Sequence, residues 1–404
     1  MLSTRALLTR NRDFRRLFFA TVVSLAGDWF SFVAVASLVT ELTGRAGAPA
    51  YVYAATVLPV FLASPIAGTV ADRYDRRRIL VIADLARVPL ALLLGIAAWS
   101  GSTALAIAAV VALAVGASFS DPIASAATPN LVEPEELATA QAAMGAVWGS
   151  MLMVGAGIGG LVAEVFGRQT AFAVDAASFL ISALLIAGIR RPMQQPRTEH
   201  ASGTLGEAIR YARGDRVVLR LLFAKVGASL SNGIVGLLPA FATRRFAGTS
   251  VATGLLFAAR GLGAMLGPIL ARGAIGATPG RRAIVWLCGV ATLLYCAVYA
   301  VLPLAHVFGF AAVLVVLAHL GAGAQWSVST YGLQRDTPDR FRGRILAIDY
   351  GLATLAIGAS AIAAGLLADA LGEAPATWWL TVVGGAYAVA WLAWSLPAVR
   401  AARV

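Results

Sequence analysis

The chain has 404 residues, of which 59% are hydrophobic and only 13% are charged, and its formal net charge is +12. Soluble domains carry about 45–50% apolar and about 25% charged residues, so this composition excludes a soluble protein of two or three domains. The apolar residues form blocks of about 18 or more, and each block is long enough to cross about 30 Å of hydrocarbon. The sequence therefore predicts an all-α polytopic membrane protein.

Several kinds of chemistry are absent from the sequence. Cys288 and Cys296 lie in one apolar block, and the three histidines are scattered without metal-ligand spacing. No phosphate-binding loop and no nucleophile–base constellation is present, so we expect neither an enzyme nor a bound metal or cofactor. The basic residues lie between the apolar blocks and not on a soluble module, so we expect no nucleic-acid partner. The first apolar block is too long for a cleavable signal peptide.

Twelve apolar blocks are predicted to be membrane-spanning helices. In chain order they cover residues 16–42, 50–71, 79–99, 103–126, 139–163, 169–189, 217–243, 250–271, 283–303, 306–331, 344–370 and 376–396.

The arginines predict the orientation of these spans. Most of them lie in the loops on one side of the membrane, together with both termini. The loops on the other side contain only Arg45, Arg168, Arg244 and Arg245. Cytoplasmic loops carry the excess of basic residues, so both termini are predicted to be cytoplasmic in a multi-pass cell-membrane protein.

The two halves of the chain resemble each other. The segment RLFFATVVSLAGD at 16–28 aligns with RLLFAKVGASLSN at 220–232. A parallel repeat of six helices predicts two pseudo-symmetric bundles, with a substrate site at their interface. We therefore divide the chain into an N-terminal bundle (1–190), a cytoplasmic linker (191–216) that could form a short amphipathic helix on the inner leaflet, and a C-terminal bundle (217–404).

A charged motif follows the second predicted helix. The chain reads Gly68-Thr-Val-Ala-Asp72-Arg73-Tyr-Asp-Arg76-Arg-Arg. This resembles the signature loop GxxxDRxxRRR of the major facilitator superfamily. The resemblance implies a twelve-helix transporter in which this loop ties the two halves together on the cytoplasmic side. It implies gate roles for Asp72, Arg73 and Arg76, with Asp121 and Asp349 as partners and Gly68 at the close helix contact.

Three further segments resemble the drug-exporting branch that contains macrolide efflux proteins and the enterobactin exporter. They are LAGDWFSFVAVASLVTELTG, LVEPEELATAQA and TPDRFRGRILAIDYG. In helix 5, Gly155, Gly159 and Gly160 resemble the antiporter motif GPxxGG, with Ala156 in place of the proline. Close packing of helices by small residues is the alternative interpretation. The arginine of the family's helix-4 motif is absent.

Charges at mid-membrane are costly and mark functional candidates. Asp28 is the deepest acid, and we interpret it as a proton-coupling or cation-substrate residue, with a structural pair to a fixed cation such as Arg260 or Arg87 as the alternative. His319 is a second candidate for the proton, with a hydrogen-bonded packing role as its alternative. Arg260 cannot lose its proton, so it either pairs with an acid or holds an anionic group of the substrate. Lys225, the only lysine, is expected to extend towards the cytoplasmic surface.

Other charges are expected to be structural or to act at the gate. Asp84 and Arg87 are three residues apart on one helix and are expected to neutralise each other. Asp175 is expected to cap its helix or pair with Arg168, and Asp349 to pair with Arg73 or a neighbouring arginine.

Aromatic and polar residues in the central helices predict an amphipathic substrate cavity, because such surfaces accept varied apolar ligands. The predicted lining is Trp29, Phe30, Trp148, Asn232, Arg260, Gln325 and Trp326.

The leading hypothesis is a proton-coupled secondary exporter of amphipathic small molecules, such as a drug, a macrolide or a siderophore-like compound. It is expected to act as a monomer, with protons, substrate and lipid as its partners. One alternative is an importer or a lysophospholipid-type lipid transporter. Another is a non-transporting receptor or scaffold, against which the charges of Asp28 and Arg260 argue.

Overall fold

The computed structural model describes residues 4–133, 136–194, 205–246, 248–275 and 280–401, and these residues form helices and turns without a strand. The N-terminal half consists of seven α-helices. They are α1 (Thr4–Arg10), α2 (Arg12–Thr43), α3 (Ala48–Arg73), α4 (Arg76–Ser100), α5 (Thr103–Leu131), α6 (Leu137–Val165) and α7 (Arg168–Ala187).

The C-terminal half follows the linker and contains one helix that is broken into segments. Its helices are α8 (Leu205–Gly214), α9 (Arg216–Leu222), α10 (Ala224–Ser231), α11 (Gly233–Ala240), α12 (Ser250–Ile275), α13 (Arg281–Val301), α14 (Phe308–Asp336), α15 (Asp339–Leu371) and α16 (Glu373–Ala401). A π-helical turn (Phe241–Arg245) follows α11, and a 3-10 turn (Leu302–Leu304) follows α13.

The prediction of an all-α polytopic membrane protein is confirmed. Eleven helical segments among the described residues are long and apolar enough to cross a membrane. Helix α3 occupies the place of the second predicted span, but its described apolar stretch covers only Ala48–Ala63. The number of twelve spans therefore stays a prediction.

Polar caps and glycines set the helix boundaries. The side chains of Asn11 and Asp75 accept hydrogen bonds of 2.9 Å from the backbone N–H groups of Phe14 and Arg78, which satisfies donors at the starts of α2 and α4. Gly44 ends α2 with a φ of 62°, a left-handed conformation that glycine adopts without a steric cost. The arginine-rich segment after α3 therefore leads directly into a capped helix.

The predicted continuous span 217–243 is broken into α9, α10 and α11. Pro239 lies inside α11 and donates no hydrogen bond, and the chain continues as a π-helical turn from Phe241. Gly233 begins α11, and its backbone N–H donates to the Ser360 hydroxyl at 2.9 Å, so a side chain of α15 takes part at the break. Breaks of this kind are tolerated in a membrane because neighbouring helices satisfy the freed backbone groups.

Helix α8 packs on the C-terminal half. Its Tyr211 ring stacks on Phe341 at a centroid distance of 5.2 Å, and the Tyr211 hydroxyl donates to the Asp336 carbonyl at 2.9 Å. Ala208 and Ala212 on the same helix are buried. The amphipathic helix expected in the linker thus places its apolar side against protein.

The two halves contact each other between the centre of the bundle and one of its ends. We call this the distal end; it carries the turn at 44–47 and Gly372, whereas the opposite end, which we call the terminal end, carries α1 and the linker. At the distal end α3 packs on α15 and α11, and α6 packs on α12. Asp369 of α15 accepts hydrogen bonds from Arg45 at 2.5 Å, the backbone N–H of Gly47 at 3.0 Å and the Tyr51 hydroxyl at 3.0 Å. We call these four residues the distal clasp.

The glycines of α6 allow two close helix contacts. A Cβ on Gly159 would lie 2.7 Å from the Phe30 Cα, and one on Gly155 would lie 3.3 Å from the Ala26 Cα, both in α2. Gly160 instead faces α12, where its Cβ would lie 3.2 Å from the Gly254 Cα. Because these glycines have no side chains, α6 can pack closely on α2 of its own half and on α12 of the other half.

The Gly254 contact yields a test of how tightly the halves close. An added Cβ would lie 3.2 Å from the Gly160 Cα and closer still to the Ala156 carbonyl oxygen, so backbones would have to separate. We expect Gly254→Ala to destabilise the detergent-solubilised protein by about 1–3 kcal/mol, as overpacking does. Thermal unfolding is the measurement.

Gly145→Ala is the matched control, because a Cβ there meets no atom within 4 Å. It should leave stability unchanged or raise it by about 0.5–1 kcal/mol, since alanine favours helix. Equal unfolding temperatures for Gly254→Ala and the wild type would contradict the close contact.

Candidate functional site

The centre of the interface between the halves holds a buried arginine among aromatic rings. Arg260 of α12 is only 7% exposed. Its guanidinium carbon lies 6.0 Å from the ring centroid of Trp29, 5.8 Å from Tyr53, 5.7 Å from Trp148 and 6.0 Å from Phe257. We call these five residues the Arg260 box. Three of its rings come from the N-terminal half, so both halves build it.

Arg260 has few polar partners. One guanidinium nitrogen donates to the Tyr53 hydroxyl at 3.4 Å, and the other two nitrogens are buried without a hydrogen-bond partner. Within the described part of the chain no carboxylate forms an ion pair with it. Arg260 was expected either to pair with an acid or to hold an anionic group of the substrate. For the first interpretation the described residues provide no acid.

A hydrogen-bonded path leads from the Arg260 box into the C-terminal half. The Tyr53 hydroxyl donates to the Asn232 side-chain oxygen at 2.8 Å, and the Asn232 amide donates to the Tyr295 hydroxyl at 3.3 Å. Tyr295 packs edge-on against His319, whose ring centroid is 5.5 Å away.

His319 is held by two groups. Its Nδ1 lies 3.2 Å from the Tyr299 hydroxyl and 3.2 Å from the Val315 carbonyl, and its Nε2 is buried without a partner. This candidate therefore lies in the same polar path as Asn232 and Tyr295.

The structure brings four of the predicted cavity residues together and separates the other three. Trp29, Trp148 and Arg260 belong to the Arg260 box, and Asn232 is joined to it by Tyr53. Phe30 packs against Gly159 of α6. Trp326 lies beside Lys225, with 4.9 Å between its ring and the ammonium nitrogen. The preceding residue, Gln325, is fully buried, and its amide nitrogen has no partner.

A second polar site lies inside the N-terminal half. Arg87 forms an ion pair with Asp28 and a weaker one, at 3.7 Å, with Asp84. Asp175 accepts a hydrogen bond of 2.5 Å from Ser31, one turn along α2 from Asp28. We call Asp28, Asp84, Arg87 and Asp175 the N-half charge cluster. It joins α2, α4 and α7.

The N-half charge cluster contains more acids than bases. It holds three carboxyl groups and one guanidinium, which pairs with two of the three, and all but Asp28 are buried almost completely. Full ionisation would leave two uncompensated negative charges in an apolar bundle, which is costly. A cavity of about 50 Å³ lies beside Asp28, Asp84 and Arg87, and the hydroxyls of Thr21, Ser24, Ser120 and Ser182 line it as well. Such a polar cavity has room for water.

The expected pairing of Asp175 with Arg168 is wrong. Arg168 pairs with Glu41 near the distal end, whereas Asp175 lies two turns further along α7 and is fully buried. The expected pair of Asp84 and Arg87 is present, but Arg87 also binds Asp28.

A third polar site lies inside the C-terminal half. Lys225 of α10 forms an ion pair with Asp349 of α15 and donates to the Thr330 hydroxyl at 2.8 Å. Both charged side chains are buried, with exposures of 2% and 3%. Lys225 therefore does not extend to the surface, because the Asp349 carboxylate compensates its charge inside the bundle. The partner that the structure describes for Asp349 is thus a lysine and not a neighbouring arginine, whereas the side chain of Arg73, the other expected partner, lies outside the described residues.

The signature loop is described only in part. The side chains of Gly68, Asp72, Arg73 and Asp121 lie outside the described residues, so their gate roles stay predictions. Arg76 at the start of α4 donates to the Met193 carbonyl at 3.2 Å, which ties the end of the N-terminal half to this loop.

Comparisons with known proteins agree with this architecture. The sequence model of the transmembrane secretion effectors, a family of major facilitator transporters, matches residues 3–403. The chain belongs to this family. It is a membrane transporter and not an enzyme.

The most similar relatives include multidrug efflux pumps. The transporter is 31% identical to multidrug efflux pump Tap of Mycobacterium tuberculosis over 224 residues, which are 51% of this chain and 52% of that protein. The match thus spans about half the length of that relative. Tap of Mycolicibacterium fortuitum is 29% identical over 379 residues, with 88% of this chain and 89% of that protein covered.

Solved structures share the fold. A bacterial homologue of the human lysosomal transporter Spinster, in an inward-facing and unoccupied conformation, superposes with a TM-score of 0.75 at 16% identity over 97% of this chain and 98% of that chain. A D-xylose–proton symporter gives a TM-score of 0.70 at 13% identity over 93% and 96%. At such identities the likeness concerns the fold alone.

Sequence reasoning missed Tyr53, Phe257, Tyr295 and Tyr299. Each is an aromatic residue inside an apolar block, where such residues are common in lipid contact and packing. Only the packing of α3 on α11, of α12 on α6 and of α13 on α14 brings them together.

The buried pair in the C-terminal half yields a stability test. Lys225→Met and Asp349→Asn each leave one buried charge without its partner, so we expect each to cost about 3–5 kcal/mol of stability. The double variant removes both charges and should recover most of that loss. Expression level and thermal unfolding of the four proteins measure the coupling.

Arg281 and Asp336 form the control pair, because Arg281 is 38% exposed and its ion pair is 3.0 Å long. Arg281→Gln should cost less than about 1 kcal/mol. A double variant of Lys225 and Asp349 that is as unstable as the sum of the single variants would contradict the pairing.

Proposed function

We propose that this transporter is a proton-coupled exporter of amphipathic small molecules that works by alternating access. It acts as a single chain in the plasma membrane, with both termini cytoplasmic. The observation that carries the proposal is the Arg260 box, where apolar rings from both halves surround polar groups that lack partners. A site between the two repeats is where such transporters bind their substrates. The names of the Tap relatives favour export.

The experiment for this proposal is transport into inverted vesicles, with and without an imposed pH gradient. A panel of fluorescent amphipathic dyes that are cationic, neutral and anionic provides the probes. Gradient-dependent uptake into inverted vesicles and its absence from right-side-out vesicles would support export. Uptake with the opposite orientation would favour an importer, and no dye movement in either would reject the function.

The distal clasp supports alternating access. Asp369 from the C-terminal half holds Arg45, Gly47 and Tyr51 from the N-terminal half, so the clasp must open before the distal end can separate. The signature loop at the terminal end is the proposed counterpart, with Asp72, Arg73, Arg76 and Asp121 binding the halves when the distal end is open. In the present conformation Asp349 pairs within its own half, so its gate role would require Asp349 to exchange its partner.

Variants of the distal clasp and of the signature loop are expected to have opposite effects on the labelling of one reporter cysteine. Ser250→Cys places a thiol in the buried distal contact between α12 and α6, and the native cysteines are buried. Asp369→Asn weakens the clasp, so we expect labelling of this thiol to rise about 10-fold or more, as the loss of one hydrogen bond to a charge allows. Asp72→Asn frees the terminal end and should lower the labelling.

Glu41→Gln is the control for both variants, because Glu41 pairs with Arg168 inside the N-terminal half and is 67% exposed. It should leave labelling unchanged. If the distal thiol reacts equally in Asp369→Asn and Asp72→Asn, the distal clasp and the signature loop do not stabilise opposite conformations.

The N-half charge cluster supports proton coupling. Its excess of acids favours one or more protonated carboxyl groups, and the small polar cavity gives water access to Asp28. Asp28 is the least buried acid of the cluster, with a side-chain exposure of 32%. Release of Asp28 from Arg87 would let it exchange a proton, while Asp84 keeps Arg87 paired.

Asp28→Asn tests the coupling. The amide cannot carry a proton, so we expect gradient-driven uphill transport to be lost while downhill exchange of substrate remains. Expression should stay near that of the wild type, because Asp84 still faces Arg87. Uphill accumulation and counterflow in the same vesicles measure the two activities, and Glu41→Gln again is the control. Full proton-driven transport by Asp28→Asn would reject the role and leave His319 as the remaining candidate.

A further inference from the structure

Arg260 carries a buried positive charge for which the described residues provide no carboxylate and too few hydrogen-bond acceptors. Arg260 is almost completely buried, and a guanidinium keeps its positive charge in proteins. Two of its three nitrogens find no acceptor, although hydrogen bonds to charged groups contribute about 1.5–3 kcal/mol each and their absence is costly. By contrast, the buried cations Arg87 and Lys225 both have carboxylate partners.

The surrounding rings compensate this charge only in part. Cation–π contacts contribute about 0.5–2 kcal/mol and are weak near the 6 Å limit, where all four rings of the box lie. They also offer no hydrogen-bond acceptor to the unpartnered N–H groups. The box therefore accommodates the guanidinium but leaves its donors free.

The position of the box provides access for a ligand. Trp148 is 43% exposed although it lies near the middle of α6 and contacts the buried Arg260. Its ring also packs edge-on against Trp29, at a centroid distance of 6.4 Å. Trp148 is therefore the outer wall of the box, and movement of α6 relative to α12 would uncover the guanidinium.

The geometry points to an organic anion as the substrate class of this site: a carboxylate, sulfonate or phosphate group bound by Arg260, on an apolar body that packs against the rings. The guanidinium fork matches the paired oxygens of such a group, and a bidentate group would accept a hydrogen bond from a nitrogen that now has no acceptor. This inference rests on the proposed transport function and specifies what the central site selects.

The binding test uses the full-length protein in detergent with 2-naphthoate and its neutral isostere 2-naphthamide as probes. We expect calorimetry to give a Kd for naphthoate that is about 10-fold or more lower than that for naphthamide, as one or two charge-assisted hydrogen bonds provide. Arg260→Gln should abolish this preference, and Arg260→Lys should keep part of it. Arg281→Gln, outside the box, is the control and should keep all of it.

Stability separates binding from a structural role. An unpaired buried charge does not stabilise the fold, so Arg260→Gln should unfold at the same temperature as the wild type or higher. Naphthoate should raise the unfolding temperature of the wild type but not of the variant. Equal affinities for the two probes, a preference that survives Arg260→Gln, or a large loss of stability in both Arg260 variants would overturn the inference.

Two further arms identify the source of the anion and keep the two proposals distinct. If lysophosphatidylglycerol binds more tightly than naphthoate and its binding depends on Arg260, the site is assigned to anionic lysolipids. If naphthoate binds more tightly, the site is assigned to soluble organic acids. In vesicles, gradient-driven export of the anionic dye that is as large as that of the other dyes and unchanged by Arg260→Gln would reject the anion site and leave the exporter intact. Arg260-dependent naphthoate binding without transport of any dye would reject the exporter alone.

Discussion

The cost of placing a charge in an apolar bundle determines how this transporter is built. The buried charged side chains within the described spans lie in three places, and the charge is compensated differently in each. In the C-terminal half Lys225 and Asp349 neutralise each other. In the N-terminal half a cluster of three acids contains one guanidinium, which pairs with two of them, and we propose that protons compensate the remaining charge. At the interface Arg260 has rings but no acid, which leaves a place for a ligand. The degree of compensation thus separates a structural pair from the two functional candidates.

The sequence predicted the architecture because hydrophobic blocks, arginine-rich loops and the repeat each follow from the requirements of a bilayer. It also marked Asp28, Arg260, Asn232, Trp29 and Trp148 as candidates, because polar or large aromatic residues inside such blocks are costly or unusual. These inferences needed only the position of a residue along its own helix.

The partners could not be predicted in the same way. The pairing of Arg87 with Asp28 and of Lys225 with Asp349 depends on which helices are neighbours and how each is rotated about its axis. Asp175 was assigned to Arg168 because the two are close in sequence, yet the packing of α7 against α2 turns Asp175 towards Ser31. The Tyr residues of the central path carried no distinctive signal, since tyrosine is also common at membrane interfaces.

Asp28 and Asn232 occupy equivalent positions in the two copies of the repeat that the sequence predicts, yet their side chains differ. In the first copy the position carries a carboxyl group that can change its charge. In the second copy it carries an amide, which hydrogen-bonds Tyr53 of the first copy and Tyr295 of its own. An amide keeps the same donors and acceptors at every physiological pH. One of the two positions is therefore suited to respond to acidity, while the other maintains a contact between the halves that acidity does not alter.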